Sequence, residues 1–138
     1  MKKGYFMRQT PFLALPNGTR VSLSKVFEIK VMRRPSLLPT VTKITTRAKT
    51  FTIYGDLSDS INKAQLGAYG FLASIEGRHW LNLLNAVHVA VKVCKNDSSE
   101  FNVQASYEYF RARKKSRIRI GIKQLEALKH RSIPLVCS

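Results

Sequence analysis

Four valines at two-residue spacing, Val87, Val89, Val91 and Val93, and three isoleucines at the same spacing, Ile118, Ile120 and Ile122, constrain this chain most. β-Branched side chains lose rotamer freedom in a helix, and a two-residue period puts every second side chain on one face of a strand. Both segments therefore read as strands with one face in a core. The stretch A-V-H-V-A-V-K-V could also prolong a preceding helix, and the alternation decides for strand. N-D-S-S then reads as a turn, residues 100–111 as a second strand and A-R-K-K as a second turn. S-R-I-R-I-G-I is the third strand of an antiparallel meander, with Ile118, Ile120 and Ile122 facing inward and Arg117 and Arg119 outward. A closing helix, Lys123 to His130, packs Leu125 and Leu128.

The first third reads as β as well. Leu15-Pro16-Asn17-Gly18-Thr19 is a hairpin signal, because a tight turn at Asn-Gly favours positive φ. It leads into a run in which Val21, Leu23, Phe27, Ile29 and Val31 share one face. Pro35 and Pro39 bound a loop before V-T-K-I-T-T, and Arg47-Ala48-Lys49 turns the chain into T-F-T-I-Y, a strand ending at Gly55.

In the middle the period changes. Leu57, Ile61, Ala64, Ala68, Phe71 or Leu72, and Ile75 recur at intervals of three and four, the signature of one helical stripe. Asp56 or Ser58 suits its first turn and Gly77 its end. A shorter helix, Arg78 to Ala86, would turn Trp80, Leu81 and Leu84 inward. The expected fold is α+β: antiparallel hairpins and a meander packed on one long central helix, 57–76, and a shorter second helix. The order strand 49–54, helix 57–76, Gly77, helix 78–86 is similar to that of ribbon-helix-helix repressors, in which paired strands of two subunits enter the major groove. That resemblance covers under a third of the chain and carries no contact residue over.

With 138 residues and 44% hydrophobic side chains, a single domain spanning 1–138 is expected, with 1–10 and 132–138 as flexible ends. Cys94 and Cys137, the only thiols, lack a C-x-x-C or a nearby His pair, so no structural zinc site is expected. Cys94 is expected to be a small buried side chain and Cys137 part of a fraying tail. No cofactor is implied. The longest apolar run near the amino terminus, F-L-A-L, is too short for an export signal, and no window approaches a transmembrane helix. A cytoplasmic, nucleoid-associated protein is the expectation.

Charge says what such a protein meets. Of the net +16, residues 1–49 carry eleven Lys/Arg against Glu28 alone, and residues 101–138 carry nine against Glu108 and Glu126. A one-signed field repels itself and disfavours compaction, so a polyanionic partner is implied. Lys and Arg on phosphates release condensed counterions, which favours nucleic acid over a membrane in the absence of a basic amphipathic helix.

Two regions are the candidate sites. Arg111, Arg113, Lys114, Lys115, Arg117 and Arg119 lie at and after a hairpin turn, where a basic β-ribbon can enter a major groove and pair Arg with guanine. Arg33, Arg34, Lys43, Arg47 and Lys49 surround a threonine-rich strand whose hydroxyls can meet phosphates, with Tyr54 able to stack. Tyr107 and Tyr109, on one face with Phe101 and Val103, read as core.

Enzyme readings fall away. Glu28-Ile29-Lys30 has the E-x-K spacing of metal-dependent nucleases, but residues 1–27 contain no acid to complete such a site. His79, His88 and His130 have no motif-spaced partner, and no glycine-rich phosphate loop occurs. The expectation is a DNA-binding protein, a small transcriptional regulator or accessory factor, possible as a homodimer. RNA binding and a phage or plasmid effector docking on an acidic host protein are the alternatives.

Overall fold

The computed structural model describes residues 12–33, 38–64, 66–94, 97–129 and 136–137. These residues are mostly β, arranged in three sheets with two short helices. A hairpin joins β1 (Phe12–Ala14) to β2 (Arg20–Ser22). The middle sheet contains β3 (Val26–Met32), β4 (Val41–Thr46), β5 (Thr50–Tyr54), β6 (Phe71–Ala73) and β7 (His79–Asn82), in the order β5-β4-β3-β7-β6, all antiparallel. The third sheet contains β8 (His88–Cys94), β9 (Asp97–Glu108) and β10 (Arg113–Gly121) as consecutive antiparallel neighbours, with β11 (Val136–Cys137) added parallel to β8. Helix α1 is Ser58–Lys63 and α2 is Ile122–Lys129.

The five-stranded sheet has a core on each face. On one side Val26, Ile29, Ile44 and Trp80 pack against Leu13, Val21 and Leu23 from the hairpin region and against Ile61 of α1. On the other, Phe27, Leu72 and Leu81 meet Val91, Val103, Ile118 and Ile120 of the four-stranded sheet and Leu128 of α2. A strand between two cores buries both its faces and loses its polar alternation. Phe71-Leu72 and Trp80-Leu81 are the consequence: neighbours in sequence, they go to opposite cores.

That double burial overturns the expected long central helix. Its stripe survives only through α1; a short 3-10 turn, Leu66–Tyr69, follows, and the chain then becomes β6. Gly70 makes the break: its φ is 93°, and a Cβ there would lie 2.5 Å from Leu84 Cγ. Gly77 does not stop a helix. It turns β6 into β7 at φ 73°, its N–H donating to the Ser74 carbonyl at 2.9 Å. The second helix is likewise absent, replaced by β7 and a 3-10 turn, Leu83–Asn85, and Leu84 is exposed. With both helices gone, the likeness to ribbon-helix-helix repressors goes too.

Smaller corrections follow from local geometry. A β-bulge between Val26 and Glu28 throws Phe27 off the face of Ile29 and Val31 and into the second core. In the hairpin turn, Gly18 N–H donates to Leu15 O at 3.0 Å, so Pro16 and Asn17 are central and Gly18 follows at φ 87°. β10 ends at Gly121, which leaves Ile122 to open α2 in an exposed position. β9 begins at Asp97, so N-D-S-S is largely strand; Lys95 and Asn96 lie outside the described residues. Cys94 is half-buried, and Cys137 pairs with Val91. Residues 1–11, His130 and most of the expected flexible tail lie outside the described residues.

Candidate nucleic-acid interface

Alternation along β10 sorts the first basic region. Ile118 and Ile120 point into the second core, so Arg113, Lys115, Arg117 and Arg119 form a row on the opposite, solvent face. At about 3.3 Å per residue the row is about 20 Å long. Cross-strand register adds to that face: Arg119 lies opposite Asn102 and Asn102 opposite Lys92, while Arg117 lies opposite Gln104. Arg117 donates to Gln104 Oε1 at 3.2 Å. Two of the four cations have acid neighbours, Arg119 with Glu100 at 3.4 Å and Arg113 with Glu108 at 4.0 Å. Among the described residues no carboxylate lies within ion-pair distance of Lys115 or Arg117.

The hairpin tip extends the row. β8 starts at His88, opposite Ser106, so beyond Ser106 the chain continues as two strands through Glu108 and Arg113. Tyr109 N–H donates to Ala112 O at 2.7 Å and closes the turn. At its apex Phe110 is 81% exposed, with the Arg111 guanidinium 5.4 Å from its ring centroid. Lys114, between two members of the row, is not part of it, and its ammonium lies over the Tyr109 ring at 5.2 Å. Tyr109 packs edge-on against Phe27, and Phe27 stacks on buried Tyr107 with 4.8 Å between ring centroids.

The second basic region does not gather in one place. Arg33 follows Met32, whose partner Val41 opens β4, whereas Arg47 follows Thr46, which closes β4. These two arginines sit at opposite ends of the strand. Arg33 lies near Asp56, which also pairs with Arg78 at 3.5 Å. Lys43 is half-buried in mid-strand, opposite Lys30 and Thr52. Lys49 is exposed above the Phe51 ring at 4.4 Å. Arg34 lies outside the described residues. The threonines divide as well: Thr42 and Thr46 are buried and spend their hydroxyls on Gly55 O and Lys49 O, while Thr50, Thr52 and Tyr54 are exposed.

One cleft does place Arg47 of the second region beside Glu108, the acid neighbour of Arg113. This cleft, of about 530 Å³, is lined in part by Lys25, Arg47 and Glu108 of β9. The sequence marked neither Lys25 nor Glu108 for it, nor Lys92, Asn102 and Gln104 for the β10 face. Their placement depends on which strands become neighbours.

Glu28 of the E-x-K pattern faces inward between the sheets. Burial raises its carboxyl, but the hydrogen bond and charge of His79, with Ser116 and Lys30, outweigh this and hold it below the ordinary carboxylate range. Among the described residues no three His, Cys, Asp or Glu side chains gather to hold a metal ion, and no helix is long and apolar enough to cross a membrane. No family model, curated protein or solved structure matches this chain.

Proposed function

We propose that this chain is a nucleic-acid-binding protein that holds duplex DNA, in preference to RNA, on the solvent face of β9 and β10, acting by binding and not by turnover. One observation carries the reading: four cations stand in a row on one strand, and two of them, Lys115 and Arg117, have no acid partner among the described residues. Such a row neutralises successive phosphates and releases their counterions. Asn102 and Gln104 beside it, with Arg117, are side chains of the kind that read base edges. The two-stranded tip has the form of a β-ribbon that a major groove admits.

A competition among duplex DNA, single-stranded DNA and structured RNA at matched salt tests the proposal. Duplex DNA is expected to win, with affinity falling steeply as salt rises. A clear advantage for RNA would reassign the ligand. Loss of all nucleic-acid binding, with a stoichiometric acidic protein recovered after nuclease treatment, would replace it with a protein partner.

A further inference from the structure

The cleft that holds Arg47 beside Glu108 is built rather than incidental. Its apolar wall is formed by Phe27, Ala48 and Val87, its cations are Lys25 and Arg47, and Glu108 supplies a carboxylate. Each part is fixed from behind. Phe27 is held between Tyr107 and Tyr109. Arg47 and Ala48 lie in a turn closed by Thr46 and Lys49, Thr46 N–H donating to Lys49 O at 2.8 Å and Thr46 Oγ1 to the same oxygen at 2.9 Å. Lys25 lies between two carbonyls anchored by Asn85, whose Nδ2 donates to Ser24 O at 2.8 Å and to Val26 O at 3.0 Å. Glu108 meets Arg113 only at 4.0 Å, which leaves its oxygens free to accept a further donor.

We infer that this cleft takes one unpaired nucleotide, its base against the apolar wall, its phosphate at Lys25 and Arg47, and an exocyclic amino group donated to Glu108. The inference rests on the reading of the chain as a nucleic-acid binder. A cleft of about 530 Å³ is within the size range of small-molecule sites. Two cations and one carboxylate in the lining complement a ligand that carries both an anionic group and an N–H donor. A flat ring suits the apolar lining of Phe27, Ala48 and Val87. Paired, stacked bases cannot present that combination, and an unpaired base costs least to turn outward. The preferred ligand is therefore DNA with a bulged or unpaired adenine or cytosine.

Anisotropy titrations of the full chain at one salt concentration, with a perfectly paired duplex and the same duplex carrying one bulged adenosine, test this. The bulged duplex should bind about tenfold more tightly, the scale of one base stacked on a protein wall. Val87→Trp, at a position 50% exposed, fills the cleft without entering the core; it should remove the preference and leave paired-duplex affinity unchanged. Glu108→Gln should retain bulge binding but reduce the advantage of adenine or cytosine over thymine. Equal affinity for both duplexes in the unaltered protein, or an intact preference in Val87→Trp, overturns the cleft inference while duplex binding stands. Absence of binding to either duplex defeats both.

Discussion

His79 on β7 and Glu28 on β3 share a hydrogen bond, Nε2 donating to Oε2, with 17% and 18% of their side chains exposed. The pair lies on the sheet face that looks toward β10, whose Ser116 is also within reach of the carboxylate. The bond joins two neighbouring strands of one sheet, and the Ser116 contact is what ties that sheet to the next.

Acid should loosen this tie. Glu28 has its carboxyl depressed in the folded state, despite burial, by His79 first and then Ser116 and Lys30. A depressed carboxylate contributes stability above its unfolded pKa, and that contribution is lost as pH falls through the lower folded value. Urea unfolding followed from neutral pH downward should show stability declining into and below the carboxylate range. Glu28→Gln should lower neutral-pH stability by about 1.5–3 kcal/mol, the worth of a hydrogen bond to a charged group, and flatten the acid decline. An unchanged acid profile in the variant would separate Glu28 from the effect.

Alkali should act through Tyr107. Burial, and then the neighbouring charge of Glu28, push its phenol far above the ordinary value, and its O–H donates to Asn82 O at 3.0 Å. A raised phenol pKa means that the native state keeps a proton the unfolded state gives up. Its stabilising effect is complete below the unfolded tyrosine pKa and declines as pH rises above it. Absorbance titration should show one tyrosine that ionises only when the protein unfolds. Tyr107→Phe should delete that component and cost about 1 kcal/mol.

On the DNA reading, the cations of β10 are not equivalent. Arg113 and Arg119 are partly compensated by Glu108 and Glu100, whereas Lys115 and Arg117 are not. Replacing Lys115 and Arg117 together with alanine should weaken duplex binding more than replacing Arg113 and Arg119. The salt slope should fall by about 0.9 for each phosphate contact removed. Equal losses from the two double variants would show that the acid neighbours do not matter to binding.

Two glycines separate strain from contact. Gly70 and Gly77 both have positive φ, but a Cβ meets Leu84 only at Gly70. Gly77→Ala should cost about 1–3 kcal/mol from backbone strain alone. Gly70→Ala should cost more, unless Leu84, 66% exposed, swings clear at no cost. Thermal unfolding of the two variants distinguishes these outcomes.

Strands with one wet face were legible from the chain. β8 and β10 announce themselves by alternating β-branched residues, and the outward arginines of β10 come with them. The turn at residues 47–48 and the last helix were also readable, from turn chemistry and a clean apolar stripe. β6 and β7 were not. Each has apolar neighbours on both faces, and Leu57, Ile61 and Ala64 followed by Phe71 imitate a helical period across a 3-10 turn and a strand. Nothing local marks the bulge that reverses Phe27.

The order of residues determined that much of this chain would be β, that its flanks would be cationic, and that Arg117 and Arg119 would reach solvent, because these follow from composition and from backbone geometry over a few neighbouring positions; that residues 113–115, read as a turn, prolong the strand was not among them. Whether the cations would stand together was decided by strand pairing over long separations. Register places Lys92 and Gln104 on the face of β10, sends Arg33 and Arg47 to opposite ends of β4, and brings Arg47, Lys25 and Glu108 around one cleft. Those positions are far apart in sequence, and burying two cores on one sheet is what makes them neighbours.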